Sequence, residues 1–563
     1  MKRMKKLLAL LLVVALAVPT FTGCGDSDAP VTLTVYTQLA NYSGEQVGWS
    51  AKVLLEKFNV ILNIVPDADG VYETRMESGN LGDIVVWGAD GTQYQQAVSA
   101  GMLYDWEEDN LVQEYGTYIW ENMQLALKKN KDGNSDGKIH GFGHNVAADA
   151  TTHDYFFYTW DIRYDLYKEL GCPEVKDLDA FIELMKDMKE ICPTDANGNP
   201  TYAVNVWPDW DGNMVMYVKA FAQAYYGYDE QGIGLYDSET GEYHDALEEN
   251  GPYLEMLKFF NTLWQEGLMD PNSGTNTYDE MADKVRAGGV FFSIFNYSGS
   301  AAYNTAAHQA EESLMLPMVM TEATPPVYAL NPMGGNRIWS IGSATEYPEL
   351  CMEIINWLCT PDGYMTYNYG PQDLCWYYAE NEDGETKAYL TELGESCKAD
   401  RKGTTMPEEY GGGSYNDGCL QINNTTWSTR AINPTTGEPY NADDWSTRAA
   451  EATCDLEQFW RDTTGALSTE EYMESMNYKV ILASDYAESS KSEEFQVVYS
   501  AVTDALVTYS WKAIKASSDE EFDQIVDEMI KQCYAYGYEQ TLAFDQAEAE
   551  ARRARELYCN SVE

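Results

Sequence analysis

The stretch that decides the fold is MESGNLGDIVVWG, residues 76–88. Its first residues complete a short helix ended by Gly79, and DIVVWG then reads as a strand buried on both faces. Units of the same two kinds flank it: VTLTVY (31–36) and NVILNIVP (59–66) are strand-like, and SAKVLLEKF (50–58) and TQYQQAVSAG (92–101) have helical spacing. This alternation of strands and helices predicts a parallel sheet with helical crossovers.

Ligands of such sheets bind beyond the carboxyl ends of the strands. In this chain those ends are residues 37–42 and 88–90. Asn41 and Asp90 lie there and carry polar side chains, so both are candidate ligand contacts.

A second unit of the same kind follows a predicted turn-rich hairpin at residues 130–145. YFFYTW (155–160) is strand-like, and helical patterns follow at 162–171 and 177–193. Residues 381–455 are polar and rich in Gly, Asn and Thr, which indicates a loop-rich elaboration. The chain from residue 494 onward is almost wholly helical in pattern.

The N-terminus has the pattern of an export signal. Basic residues precede an apolar run from Leu7 to Val18, which is shorter than the about 20 residues that a membrane-spanning helix needs. The end of this segment, Phe21 to Cys24, resembles the lipobox of bacterial lipoproteins, in which the cysteine carries the lipid. We therefore predict a signal peptide at 1–23 and a lipidated tether at 24–30, with Cys24 as the lipidation site. An ordinary signal peptide with an incidental cysteine is the alternative.

Composition narrows the classes of partner. The 91 acidic residues against 36 basic ones give a net charge of −55. Such a surface repels nucleic acid and anionic lipid, so neither is an expected partner, and contact with a membrane is expected through the lipid anchor only. No Cys-x-x-Cys pair is present, and most of the thiols are expected to be free and buried.

Five phrases, taken in order, resemble the extracellular solute-binding proteins of bacterial ABC importers, sugar-binding family 1. They are MESGNLGDIVVWG (76–88), DGKIHGFGHN (136–145), IRYDLYKELG (162–171), LWQEGLMDP (263–271) and SSDEEFDQIVDEMIKQCYAYGYEQ (517–540). Gly82 stands where the family usually has proline, and His140, Phe142 and Gly143 depart from the second phrase.

The resemblance implies an α/β, two-lobed fold of the periplasmic-binding-protein type, with a hinge, a cleft between the lobes and a helical C-terminal extension. Lobe 1 is expected at 31–145 and 335–370. Lobe 2 is expected at 146–325 and 376–563, including the elaboration at about 381–455. The implied partners are an oligosaccharide ligand and the subunits of an ABC permease, and the protein is expected to be a monomer.

Signatures of catalysis are absent: the sequence has no GxSxG, no HExxH and no P-loop. Glycoside hydrolysis needs a pair of carboxylates. The chain has 91 acidic residues, so some pair always looks plausible and neither favours nor excludes a hydrolase. No cofactor is predicted with the exception of a structural calcium ion. Asp132, Asn134 and Asp136 occupy the first ligand positions of a calcium loop, but Gly143 replaces its bidentate glutamate. A plain Asp-Gly hairpin turn remains the alternative.

Aromatic residues at strand ends are the main ligand candidates, because sugars present flat C–H faces that stack on aromatic rings. The best cluster is NVWPDWDGN (205–213), which combines two tryptophans with Asp209 and Asp211. Core packing and ligand contact both remain open for several of the others. The predicted ligand contacts are Trp207, Trp210, Asp209, Asp211, Asn41, Asp90, Trp160, Arg337, Trp339 and Trp376.

These observations lead to one main hypothesis and two alternatives. The main hypothesis is a lipid-anchored substrate-binding protein of an ABC importer that captures an oligosaccharide, performs no catalysis and lies at the outer face of the cell membrane. The alternatives are a surface-anchored carbohydrate-active hydrolase and a solute sensor for a membrane kinase.

Overall fold

A computed structural model describes residues 29–68, 70–149, 152–448 and 451–561. The predicted signal peptide and the predicted lipidation residue Cys24 lie outside the described residues. Among the described helices, none combines the length and the hydropathy that a bilayer crossing requires.

Short strands occur from residue 31 to residue 481 of the described chain. The strands are β1 (Val31–Thr37), β2 (Gly44–Glu45), β3 (Val60–Pro66), β4 (Ile84–Val86), β5 (Phe142–Gly143), β6 (Tyr158–Arg163), β7 (Asp229–Gln231), β8 (Gly234–Tyr236), β9 (Tyr243–Asp245), β10 (Phe292–Phe295), β11 (Met315–Pro317), β12 (Pro326–Tyr328), β13 (Ile338–Ile341), β14 (Trp376–Glu380), β15 (Thr386–Leu390), β16 (Ile432–Asn433), β17 (Glu438–Pro439) and β18 (Lys479–Ile481).

Helices fill most of the sequence between the strands and all of the C-terminal part. The helices are α1 (Gly48–Phe58), α2 (Val71–Ser78), α3 (Thr92–Ser99), α4 (Leu111–Tyr115), α5 (Thr117–Asn122), α6 (Gln124–Gly133), α7 (Tyr164–Glu169), α8 (Leu178–Ile191), α9 (Met216–Tyr226), α10 (Pro252–Gln265), α11 (Tyr278–Arg286), α12 (Ser300–Tyr303), α13 (Ala306–Ala310), α14 (Pro348–Cys359), α15 (Pro361–Tyr369), α16 (Glu392–Ala399), α17 (Tyr415–Gly418), α18 (Asp455–Thr464), α19 (Thr469–Ser475), α20 (Glu493–Ile514), α21 (Asp519–Tyr536) and α22 (Tyr538–Cys559).

The first lobe is built on a sheet with the strand order β2-β3-β1-β4-β13-β5. Strands β1, β3 and β4 are parallel, as the alternation of elements predicts, and β13 enters antiparallel between β4 and β5. Both faces are covered, because Leu33 and Val35 pack into one core and Tyr36 packs into another. The parallel arrangement brings the carboxyl ends of β1 and β4 to the same edge.

The second lobe centres on a sheet with the order β10-β6-β11, in which both outer strands run antiparallel to β6. Its core is continuous with the C-terminal helices, since side chains of α20, α21 and the start of α22 are buried in the same cluster as those of β6 and β10. The predicted α/β fold with a helical C-terminal extension is therefore confirmed.

Two extended segments connect the lobes. Thr152 to Asp154 runs antiparallel to Tyr328 to Leu330, and the bond from Leu330 N–H to the Thr152 carbonyl is 2.8 Å. Strand β12 also pairs with β18, which ties the connection to the second lobe. Paired extended segments of this kind form the hinge of a two-lobed protein.

The elaboration belongs structurally to a different lobe from the one that the sequence indicated. Buried side chains from Cys375 to Trp445 pack into the same core as β1, β3 and α14 of the first lobe, whereas the predicted boundaries assign 376–563 to lobe 2. The reason lies in tertiary contacts. Trp427 and Tyr440 pack against Tyr118 and Tyr364 of first-lobe helices, and a polar sequence does not indicate which lobe its few buried rings will join.

Candidate functional site

The carboxyl-end edge of the second lobe is formed by three loops. Segment 202–206 bridges in parallel to Val290 on one side and to Met269 on the other, so all three segments end at the same edge. The loops that follow are 207–213, 270–277 and 296–299. The predicted NVWPDWDGN loop therefore follows an extended segment, and ligand contact by this loop stays a prediction.

Four aromatic side chains gather at this edge, and we call Phe157, Trp210, Tyr278 and Tyr297 the second-lobe platform. The rings of Trp210 and Tyr278 stack with 4.9 Å between centroids, and Tyr297 lies 6.2 Å from Trp210 and 5.9 Å from Phe157. Trp210 is 49% exposed and Phe157 is 45% exposed. Exposed, mutually packed rings form a firm surface for the C–H faces of a sugar.

The acidic residues of the same loop hold it in place. Asp209 accepts a hydrogen bond of 3.0 Å from the N–H of Tyr278 and thereby fixes the start of α11 beside the platform. Asp211 accepts bonds of 2.8 Å from the Met216 N–H and 2.7 Å from the Trp511 indole, and burial raises the pKa of its carboxyl group. Both predicted ligand contacts therefore already have protein partners.

Trp207 and Trp160 lie in the core of the second lobe. Trp207 is 1% exposed and packs edge-on against Trp210, Tyr217 and Tyr278, so it supports the platform from below. Trp160 is fully buried in β6, where its φ of 55° accompanies the shift of register between β6 and β10. Neither ring has a face open to a ligand in this structure.

Trp339 and Trp376 are buried in the core of the first lobe. The indole of Trp339 donates a bond of 2.7 Å to the carbonyl of Thr425, and that of Trp376 donates one of 2.9 Å to the carbonyl of Gly370. Of the predicted tryptophans, Trp210 is therefore the one that the structure leaves open to solvent.

The carboxyl-end edge of the first lobe is polar and internally bonded. The side chain of Gln38 accepts from the N–H of Gly88 at 2.8 Å, which links the ends of β1 and β4. Residues 421–427 of the elaboration lie along this edge: Asn423 donates to the carbonyl of Leu39 at 2.9 Å, and Thr425 donates to Asn145 at 2.5 Å. We call Gln38, Leu39, Gly88, Asn145 and residues 421–427 the first-lobe edge.

The three predicted polar contacts of the first lobe lie at or near this edge. Asn41 and Arg337 are exposed, and Asp90 is half-buried beside a cavity of about 130 Å³ that Lys129 and Asn134 also line. Burial, with smaller contributions from Arg337 and Lys129, lowers the pKa of His144 to about 4. The edge therefore carries cations and a neutral imidazole at pH 7.

Asn424 is the least satisfied polar side chain of the first-lobe edge. It is 2% exposed, and neither its Oδ1 nor its Nδ2 has a hydrogen-bond partner among the described residues. A buried amide without partners costs roughly 1–3 kcal/mol, so its position calls for a water molecule or a ligand.

A larger cavity lies between the lobes beside the hinge, and we call it the interlobe chamber. Its volume is about 1060 Å³, at the upper end of the range for ligand sites. From the first lobe it is lined by Arg430, Glu438, Asp443, Asp444, Trp445 and Arg448, and from the second lobe by Glu457, Arg461, Glu470, Glu474 and Tyr478. Tyr155 joins the chamber to the platform, because its hydroxyl donates to Asp444 at 2.8 Å and Phe157 follows two residues later.

Arg430 links the two walls of the chamber. Its guanidinium lies 3.3 Å from Asp444 of the first lobe and 3.4 Å from Glu474 of the second lobe. Burial raises the pKa of nearby Glu470 to about 7, and Glu474 and Asp444 add to the shift, whereas Arg430 and the N–H of Phe156 oppose it. The junction of the lobes therefore carries a carboxyl group that titrates near neutral pH.

The side chains predicted to bind calcium each have another protein partner. Asp132 lies in α6 and accepts from the hydroxyl of Tyr558, Asp136 lies 2.9 Å from His140 Nε2, and the Asn134 amide donates to Asn130 at 3.0 Å. Within the described ranges, no group of three or more His, Cys, Asp or Glu side chains is arranged to hold a metal. The predicted hairpin is replaced by the end of a helix, since α6 extends to Gly133.

Together, these features define a two-lobed protein with the fold of ABC-transporter solute-binding proteins. An HMO-binding ABC-transporter-associated solute-binding protein from Bifidobacterium longum infantis aligns with a TM-score of 0.50 at 10% identity, over 93% of this chain and 99% of that chain. An extracellular solute-binding protein from Bifidobacterium longum subsp. infantis aligns with a TM-score of 0.51 at 14% identity, with the same shares covered. The resemblance found in the sequence is thus confirmed at the level of the fold.

Sequence comparison reaches only part of the chain. No protein-family model matches it. Lipoprotein LipO of Bacillus subtilis (strain 168) is 27% identical over 272 residues, which are 46% of this chain and 49% of LipO. The chain therefore aligns with about half of the length of this curated relative.

Sequence reasoning missed most of the residues that form the site. Phe157 stands in the quoted strand YFFYTW, where its exposure is not visible, and Tyr278 and Tyr297 carry no local signal. The sequence did indicate Asn423 to Thr425 as candidate site residues, because they belong to the polar run NNTT directly before a tryptophan. The wrong lobe assignment of this segment prevented its use.

Proposed function

We propose that this protein is an exported substrate-binding protein of an ABC importer, which captures an oligosaccharide between its lobes and delivers it to a membrane permease. The second-lobe platform is the observation that carries the proposal. A neutral sugar has no charge to pair, so its affinity depends on stacking and on directed hydrogen bonds. The platform supplies the stacking, and the first-lobe edge and the interlobe chamber supply the polar groups.

Binding is favoured over hydrolysis by the state of the carboxylates nearest the platform. A glycosidase needs two carboxyl groups free to act on the scissile bond. Asp209 and Asp211 are instead engaged with backbone N–H groups and an indole. We therefore expect bound oligosaccharide to be recovered intact after long incubation, and the release of shorter sugars would favour the hydrolase alternative.

Titration of an oligosaccharide panel by calorimetry tests the proposal directly. We expect at least one oligosaccharide to bind, and Trp210→Ala to weaken it by about tenfold or more, because the lost stacking and apolar area together exceed roughly 1.4 kcal/mol. Trp210→Phe keeps an aromatic ring and serves as the matched control. Absence of sugar binding by the wild-type protein across neutral and acidic panels would contradict the function.

We further propose that Cys24 carries a lipid that holds the protein at the outer face of the cell membrane, where it acts as a monomer. The lipobox-like Phe21 to Cys24 segment supports this. Cys24→Ala should move the protein to the medium or leave its N-terminus uncleaved. A variant that stays membrane-bound with an unchanged N-terminus would contradict lipidation, and capture by a membrane kinase in place of a permease would favour a sensor.

A further inference from the structure

A separate small cavity lies in the elaboration of the first lobe. Its volume is about 270 Å³, close to the lower end of the range for ligand sites. Its lining is mostly polar and includes no carboxylate among the described residues; Asn368, Arg401, Cys419, Gln421 and Asn423 all line it. Asn423 also bonds to Leu39, which follows β1, so the cavity adjoins the first-lobe edge.

Arg401 is the cation of this cavity, and it has no acidic partner. In the part of the chain that the structure describes, its guanidinium forms no ion pair, and the neighbours that raise its pKa are a thiol and tyrosines. By contrast, Arg163, Arg448 and Arg555 each bind a carboxylate through two hydrogen bonds. Arg75 and Arg337 also form no ion pair among the described residues, but Arg401 is the arginine that lines this cavity without a carboxylate.

The guanidinium of Arg401 is held in place from one side. It lies 5.4 Å from the ring centroid of Tyr415, which itself stacks on Trp49 at 5.5 Å. Its NH2 group donates to the sulfur of Cys419 at 3.2 Å. The planar fork is thus positioned by a ring and a thiol, and its remaining donors have no protein acceptor among the described residues.

The amides of the cavity offer acceptors for hydroxyl groups. The NH2 groups of Asn368, Gln421 and Asn423 each donate to a backbone carbonyl, at 2.8, 3.1 and 2.9 Å respectively. Their side-chain oxygens remain available to accept hydrogen bonds. Acceptors for hydroxyls around one free guanidinium match a sugar ring that bears a carboxylate.

We propose that this cavity binds the carboxylate-bearing unit of an acidic oligosaccharide, such as a uronic or sialic acid, with Arg401 as its counter-ion. As a statement about the oligosaccharide that is carried, it rests on the proposed function. An arginine fork binds a carboxylate through two parallel hydrogen bonds, which gives both energy and orientation. A strongly anionic protein repels an acidic sugar at long range, so a local unpaired cation is what such a ligand requires.

Cys419 provides a reporter inside the cavity. The alkylation of this half-buried thiol by N-ethylmaleimide can be followed peptide by peptide with mass spectrometry, with millimolar glucuronate, glucose or no sugar present. We expect glucuronate, raised to at least twice its Kd, to slow the reaction by about threefold or more, since about two thirds of the sites are then filled, and glucose to have no effect. Arg401→Gln should abolish the protection, Arg401→Lys should keep part of it, and Arg286→Gln, at an exposed arginine of α11, should keep all of it.

Equal alkylation rates with glucuronate, glucose and no sugar would overturn the proposal, as would protection that survives Arg401→Gln. A parallel titration with neutral oligosaccharides tests the cleft separately, because it involves no carboxylate. If neutral and acidic oligosaccharides both fail to bind while glucuronate still protects Cys419, the proposed transport function is contradicted and the proposed carboxylate site is supported. If neutral oligosaccharides bind and glucuronate does not protect Cys419, the carboxylate site is contradicted and the transport function is not.

Discussion

The two facing edges of the lobes are built in opposite ways. The second-lobe platform presents aromatic rings that pack on one another, and the hydroxyl of Tyr278 donates within the platform, to the carbonyl of Tyr297 at 3.5 Å. The first-lobe edge exposes amides and hydroxyls, and many of these are already bonded to one another through the 421–427 segment. One lobe therefore offers stacking, and the other offers directed polar contacts.

This difference shows how a cleft can recognise the uncharged parts of a sugar. Stacking tolerates different sugars, because every pyranose has a C–H face, whereas a bonded network of amides accepts only hydroxyls in given positions. We expect changes on the platform to alter affinity for all ligands and changes on the first-lobe edge to alter the choice among them.

The largest expected effect separates two tryptophans of the platform loop. Trp207→Ala should lower the free energy of unfolding by about 3–5 kcal/mol, because a core ring leaves a cavity, whereas Trp210→Ala should change it by about 1 kcal/mol or less, as at an exposed site. Urea unfolding of both variants measures this. Equal destabilisation by the two substitutions would contradict the assignment of Trp207 as a supporting core ring and of Trp210 as a ligand-facing ring.

The next effect concerns Glu470 at the junction of the lobes. Its folded-state pKa of about 7 lies above the usual value, so the unfolded chain loses this proton first and stability falls as pH rises from about 4.5 to 7. Glu470→Gln removes that loss. We expect the variant to match the wild type near pH 4.5 and to exceed it by at most about 3 kcal/mol above pH 7. Glu528→Gln, at an exposed glutamate of α21, is the control, and a pH-independent difference would contradict the assignment.

A smaller effect tests the first-lobe edge. Asn424→Leu removes a buried amide without partners and should raise the free energy of unfolding by about 1 kcal/mol. Asn433→Leu is the matched control, because that buried amide donates to Tyr378 at 3.0 Å and accepts from the Thr435 N–H at 2.9 Å. The control should lose stability. A loss in Asn424→Leu as well would show that a water molecule satisfies the amide in solution.

The smallest effect concerns metal removal. Calcium binding at residues 132–139 would require Asp132, Asn134 and Asp136 to leave their present partners. We expect a chelator to shift Tm by less than about 1 °C, below the roughly 2–4 °C that 1 kcal/mol produces in a domain of 150–250 residues. A larger shift that disappears in Asp136→Ala would show that the loop does bind calcium.

Local sequence patterns were sufficient for the central sheet of the first lobe and insufficient for the site. The strand and helix periods around residues 31–101 predicted the parallel strands of the first lobe, because each period follows from the burial of one element. The exposure of side chains in a loop follows no repeating sequence pattern, so it cannot be predicted in the same way. Trp207 and Trp210 are three residues apart, and what buries the first is contact with Tyr217 and Tyr278, of which the second lies about seventy residues further on.

The lobe assignment of the elaboration failed for a related reason. Its buried rings are few and widely spaced, and their partners, such as Tyr118 for Trp427, are distant in sequence. The polar run at 423–425 therefore could not be placed on the first-lobe edge without the tertiary structure.

The position of β13 has a consequence for the order in which the first lobe can fold. This strand lies between β4 and β5, yet its residues follow Gly143 by almost two hundred positions. Until β13 is in place, the first lobe has a gap in its sheet, with unpaired strand edges on both sides. The first lobe therefore cannot be completed by residues 31–145 alone, and its sheet closes only with a segment that follows much of the second lobe in sequence.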